Sequence, residues 1–234
     1  MNCPSCAAPF QWFDRFAELV VCSSCQATCL VDGASLQVKG KMALLAPPEG
    51  MLSLGAMGSL QGGSFTVVGR VRYAYKRGYW DEWYLQLSDG SHRWISEDEG
   101  KLQISRLKKG REPVGRFTDA KPGSFVALGA ESYHVNEKGI AECIGGEGQL
   151  PFVVEQGEKT PFLDISRGKK VKGTIEFTES GDVRIYIGRL LAKTEIEIEV
   201  QGQRYVSDSV EGASKERFVQ ASVERAESYN CFGC

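Results

Sequence analysis

Histidine is scarce in this chain. Of 234 residues only His92 and His134 are histidines, and neither sits in a metal-binding or triad spacing. No Gly-x-x-x-x-Gly-Lys and no Gly-x-Ser-x-Gly occurs, so neither a phosphate-cradling loop nor a nucleophile elbow is expected. Positive charge is not in excess either. The formal net charge is −2, which gives no bulk attraction to nucleic acid or anionic lipid. Long apolar runs are missing: a stretch such as Met42–Ala46 is far short of the roughly twenty residues that span a bilayer. The first residues hold no basic region followed by an apolar stretch, so no secretory leader is expected and the location is expected to be cytoplasmic.

Cysteine, in contrast, is plentiful. Six of the eight cysteines form three Cys-x-x-Cys pairs. Without a leader, that pattern favours a reducing compartment and metal ligation over disulfides. Cys3, Cys6, Cys22 and Cys25 have the spacing of a four-thiolate zinc site, with residues 7–21 between the pairs. Many such knuckles carry glycine after the second cysteine, whereas Ala7 and Gln26 stand there, and both adopt positive φ less readily. Cys29 is a spare thiol nearby. Phe10, Trp12, Phe13, Phe16, Leu19, Val20 and Val21 supply a small apolar cluster between the knuckles. A unit this short buries too little to fold alone. A structural zinc would supply on the order of 10 kcal/mol or more.

Residues 1–40 thus read as a zinc ribbon, and 41–62, with Pro47, Pro48 and several glycines, as a linker. From Ser64 the pattern has period two. Phe65 and Val67, the series Val71, Tyr73 and Tyr75, then Trp83, Leu85 and Leu87 alternate with other residues before a Ser88–Ser91 turn. This predicts strands and hairpins. The alternation continues to Val200, and only 214–229 carries a helical spacing. Gly63-Ser64-Phe65 recurs as Gly123-Ser124-Phe125, Gly69 as Gly129 and Tyr73 as Tyr133. Ile104-Ser105-Arg106 recurs as Ile165-Ser166-Arg167, one residue out of phase. The expectation is therefore mainly β: an antiparallel body of two related small barrel- or sandwich-like units, at 63–112 and 113–206. A short helix and a cysteine-containing tail follow at 207–234.

Several groups are candidates for function. Trp80, Asp81, Glu82, Trp83 and Trp94 set carboxylates among aromatic rings, a pattern able to hold a cation such as a polyamine. The plainer alternative is a strand with Trp83 packed inward and Glu82 solvated. Arg106, Lys108, Lys109 and Arg111 follow the first Ile-Ser-Arg, and Arg167, Lys169, Lys170 and Lys172 follow the second. On one face they could meet anionic lipid or phosphate, and the alternative is two solvated loops. Cys231 and Cys234 could be half of a second metal site, a redox pair, formally a lipid-acceptor box, or a mobile tail.

Gly69-Arg70, Trp80-Asp81-Glu82-Trp83, Trp94-Ile95-Ser96-Glu97 and the run Gly145–Phe152 also occur in order. In this the stretch from about 52 to 190 resembles a bacterial family known as domain of unknown function 4178. The resemblance implies a β-rich fold and no established activity. It also implies an accessory role beside phage-shock-type membrane-associated proteins, or in a polyamine-linked stress system. The expected function is a non-catalytic binding or scaffolding component of a cytosolic complex, with protein partners and peripheral contact at the inner membrane face. Two other readings remain open: a nucleic-acid-associated zinc-ribbon protein, and an enzyme using the Trp/carboxylate groove.

Overall fold

A computed structural model describes residues 1–10, 14–76, 78–98, 100–108, 114–179, 181–200 and 203–206. The expected helix at 214–229, Cys231, Cys234, Lys109 and Arg111 lie outside these residues. Every strand pairing between the named strands is antiparallel, and no α-helix occurs among the described residues. The mainly β, antiparallel expectation holds.

Two four-stranded meanders make one closed barrel. The first is β5 (Gly63–Tyr75), β6 (Gly78–Leu87), β7 (His92–Asp98) and β8 (Lys101–Leu107). The second is β10 (Glu131–Leu150), β11 (Lys159–Arg167), β12 (Val171–Phe177) and β13 (Val183–Leu191). β8 pairs with β13, and β10 pairs with β5, so the ring of eight strands has no free edge within it. The two stretches expected to form separate units are thus the halves of a single barrel. Their sequence matches do not fall on equivalent elements. The Gly-Ser-Phe matches begin β5 and the short strand β9 (Phe125–Leu128), and the Ile-Ser-Arg matches lie on β8 and β11.

The barrel wall carries an apolar cluster on the outer face of each half, and each cluster has its own cover. Outside the first meander, Phe65, Val67, Trp83, Leu85, Ile95, Leu102 and Ile104 cluster with Leu52, Ala56, Leu60, Ile196 and Ile198. These covering residues come from 51–60, which includes β4 (Met57–Leu60), and from β14 (Ile196–Val200). β14 pairs with β4 and with β15 (Gln203–Val206). Residues expected to belong to the second unit therefore return to the first. The stretch 41–62, expected as a linker, is part of the fold because its scattered apolar residues Met42, Leu45, Leu52 and Ala56 are all buried. Outside the second meander, Leu163, Ile165, Ile175 and Ile185 pack under Ala120, Leu128 and Phe117.

β10 is twenty residues long and joins the parts. It pairs in turn with β9, β11, β5 and β1 (Leu19–Val21). Its glycine-rich end explains the Gly145–Phe152 run. Gly148 lies opposite Gly69, with φ of 72°. A Cβ on Gly148 would stand 2.3 Å from the Val68 carbonyl oxygen, and one on Gly69 would stand 2.2 Å from that of Gln149. Only bare backbone lets the two strands meet here.

The N-terminal unit extends the sheet through β1. β2 (Ala27–Asp32) and β3 (Ser35–Lys41) complete its three strands. Wholly buried Asp14 fixes the joint. Its amide donates to Gln149 Oε1 at 2.9 Å, and its Oδ1 lies 3.2 Å from His92 Nε2. Phe16 meets the His92 ring edge-on, and Tyr84 stacks on it.

Candidate functional site

The four N-terminal cysteines converge. Their sulfurs all lie within 4.8 Å of one another, with Cys3–Cys25 at 3.8 Å and Cys6–Cys22 at 3.7 Å. A tetrahedron with Zn–S bonds of about 2.3 Å has S···S edges of about 3.8 Å, so the cluster fits that metal's geometry. The two knuckles are built alike. The Ala7 amide donates to the Cys3 carbonyl at 2.8 Å, and the Gln26 amide to that of Cys22 at 2.9 Å. Ala7 and Gln26, the residues standing where glycine is common, take φ of 63° and 62°. Hence the left-handed turn forms without glycine. The Ala27 amide donates to Cys25 and pulls its thiol down to about 7, whereas burial raises that of Cys22. Cys29 is buried beside the cluster, and that burial pushes its thiol up to about 11. Four protein ligands leave no position for a substrate, so a metal here would be structural.

The Trp/carboxylate motif divides across the barrel wall, because successive residues of a strand face opposite sides. Asp81 and Trp83 face outward from β6, as Glu97 does from β7. Asp81 is clamped by two buried arginines. Arg70 reaches it through Nε and Nη2, both at 3.0 Å, and Arg72 does so at 2.8 Å twice. Arg70 also donates to Glu147 Oε2 and the Ala46 carbonyl, each at 3.2 Å. The Trp83 ring lies under the Arg70 guanidinium, and its Nε1 donates to Glu97 Oε2 at 3.1 Å. This network is satisfied on all sides and covered by the 41–62 stretch, which suits a structural role.

Trp80, Glu82, Trp94 and Ser96 face inward. The lumen holds a cavity of about 200 Å³ to which all eight strands contribute. Trp80 contacts Tyr73, Tyr75 and Phe162 at centroid separations of 5.5, 5.2 and 5.6 Å. Trp94 fills one end with Phe152, Tyr84 and Tyr186. At the other end the cavity is bounded by Tyr75, Asp98, Lys101, Glu137 and half-exposed Leu190. Between them stand three carboxyl groups, on Glu82, Asp164 and Glu176. Glu82 Oε1 accepts from Trp80 Nε1 at 3.0 Å and Ser96 Oγ at 2.6 Å, and Asp164 Oδ1 accepts from Thr174 Oγ1 at 2.8 Å. Glu176 Oε2 is buried with no hydrogen-bond partner, and Arg184 Nη1 stays 3.8 Å away. Burial raises Glu82 to about 8, Glu176 to about 7 and Asp164 to about 6.

The structure therefore overturns the single groove, and of its plainer alternative it keeps the buried Trp83 but moves Glu82 from solvent to the lumen. Asp81 and Trp83 do not share a site with Trp80, Glu82 and Trp94, and Glu82 is not solvated. Asp164, Glu176, Tyr73, Phe162 and Tyr186 were not legible as site residues. Their one signal is alternation: Thr174 and Glu176 share the face of β12 opposite apolar Ile175. Among the basic residues, Arg106, Arg167, Lys169 and Lys170 are exposed, whereas Lys108 and Lys172 are half-buried. Arg167 pairs with Glu131 and lies over the Tyr133 ring.

No curated protein and no solved structure matches the chain. No helix among the described residues is long and apolar enough to cross a membrane. One family model, described as Domain of unknown function (DUF4178), matches residues 53–193. That span holds the clamped Arg70–Asp81 pair, the lumen and the Gly69–Gly148 crossing, and it takes in well over half of the sequence. The chain belongs to the DUF4178 family.

Proposed function

We propose that this protein is a non-catalytic binding component of a larger assembly. In this reading the barrel lumen holds a small ligand, and zinc at Cys3, Cys6, Cys22 and Cys25 keeps the N-terminal unit folded. The observation that carries it is the lumen itself: a cavity stopped at one end by aromatic rings and furnished with carboxyl groups in its wall. Small-molecule sites have this character, being mostly apolar with a few convergent polar groups. The zinc assignment is supported by the S···S edges and the left-handed Ala7 and Gln26.

The wider setting rests on the family resemblance. It is a bacterial cytosolic assembly at the inner membrane face, with a phage-shock-type membrane-associated protein as partner. Exposed Arg106, Arg167, Lys169 and Lys170 would suit peripheral contact with anionic lipid. The test is affinity purification from the native host, followed by metal analysis and native mass spectrometry. The expected result is one zinc per chain, a retained small molecule and a co-purifying membrane-associated protein. A metal-free chain with an empty lumen and no partner would overturn the reading.

One observation favours the enzyme alternative. Carboxyl groups poised near neutrality are what acid–base catalysis uses. An enzyme would lose turnover in Glu82→Gln while still holding substrate; a binding protein has no turnover to lose.

A further inference from the structure

We propose that the lumen ligand is an aliphatic ammonium compound, its alkyl chain lying along Trp80 and Phe162 and its ammonium group meeting Glu82 and Glu176. This rests on the reading of the barrel as a binding protein and adds the chemistry of what it binds.

The lumen has more acid than base. Among the described residues, no lysine or arginine forms an ion pair with Glu82 or Asp164, and Arg184 is too far from Glu176 Oε2 for a hydrogen bond. Elsewhere in the same wall, buried charge is matched: Asp81 has two arginines. The contrast lies between two faces of one strand, so a general shortage of basic residues does not explain it. A buried carboxyl oxygen without a hydrogen bond is costly, and an ammonium donor bound against Glu176 Oε2 removes that cost.

The aromatic lining narrows the class. A bare metal ion would be best served by closely packed oxygens and water. Here an extended ring surface adjoins the carboxyls, and Trp80 is its centre, touching Tyr73, Tyr75 and Phe162. Rings attract an ammonium group through their faces and cover methylene groups by apolar contact. A cavity of about 200 Å³ accommodates a short chain of carbon and nitrogen atoms. At the open end Asp98 and Glu137 stand with Lys101, so the ammonium site assigned here is the one at Glu82 and Glu176.

The experiment compares 1,6-diaminohexane with 1,6-hexanediol, equal in length and lacking charge, by calorimetry on the full chain. The expected result is that the diamine binds and the diol does not. Glu176→Gln should weaken the diamine by about tenfold to a hundredfold, the usual worth of a charge-assisted hydrogen bond. If Glu176→Gln does not fold, Glu82→Gln carries the same test. Equal binding of diamine and diol, or no loss in either variant, overturns the ammonium assignment. A neutral or anionic molecule found in the lumen of protein from the native host overturns it too, yet leaves the binding reading standing. If neither probe binds and the native protein carries no small molecule, both fail.

Discussion

Asp81 and Glu82 are neighbours on β6 and lie on opposite sides of the barrel wall. The first is held by four charge-assisted hydrogen bonds from Arg70 and Arg72, and the second faces the lumen with Trp80 and Ser96 as its donors. One peptide bond separates a carboxylate clamped by two arginines from a carboxyl group that faces the lumen.

Replacing Asp81 should therefore damage stability, with the lumen unaffected as a binding site. Asp81→Ala leaves two buried guanidinium groups with fewer partners, and breaking such a pair costs about 3–5 kcal/mol. Denaturant titration should show that loss. A change below about 1 kcal/mol would mean that the cluster is solvated in solution.

The lumen carboxyls set the pH dependence of the ligand-free protein. Burial raises Glu82, Glu176 and Asp164 above their ordinary values. Around Glu82 stand Ser96, Trp80, Glu176 and Asp164; around Glu176 stand Arg184, Glu158 and Asp164. Between about pH 4 and 8 the folded chain holds protons that the unfolded chain has released, so this stability is present at low pH and is lost as pH rises. The melting temperature should fall across that window, and Glu82→Gln with Glu176→Gln should flatten the fall. A profile in which the double variant slopes as steeply as the parent would contradict the assignment.

Metal should be needed by the N-terminal unit and not by the barrel. Cys22→Ser removes one of the four converging thiols proposed to hold the metal. The expected outcome is loss of zinc by elemental analysis and rapid proteolysis before residue 41, with residues 63–191 protected. Metal affinity in such sites is folding free energy, on the order of 10 kcal/mol. Undiminished zinc content in Cys22→Ser would point to Cys29 as a substitute ligand.

Gly148→Ala should cost at least about 2 kcal/mol, because a side chain is added at positive φ and against the Val68 carbonyl. Thermal melting of the variant measures this. An unchanged melting temperature would show that β5 and β10 can part at this crossing.

The period-two alternation of residues such as Trp83–Leu85–Leu87 made the strands legible, because a half-buried strand must alternate. The knuckles were legible because metal geometry restricts cysteine spacing. The Gly145–Phe152 run was visible as a motif, but its purpose was not, since a glycine does not announce which carbonyl will approach it. The same limit hid the lumen: alternation assigns Glu82 and Asp81 to opposite faces without saying which face is inside. The apparent repeat misled for a related reason. Short matches such as Ile-Ser-Arg reflect what β-strands commonly carry, and here they fall on strands of different rank, β8 and β11.

By itself the sequence determined which four cysteines could converge in the first forty residues and the strand content of the rest, since both follow from local spacing. Tertiary structure alone decided that two meanders close on each other, and that closure brings Glu82, Asp164 and Glu176 from three distant strands around one cavity. Contacts between β8 and β13, or β5 and β10, depend on the whole ring closing, and no local pattern encodes that.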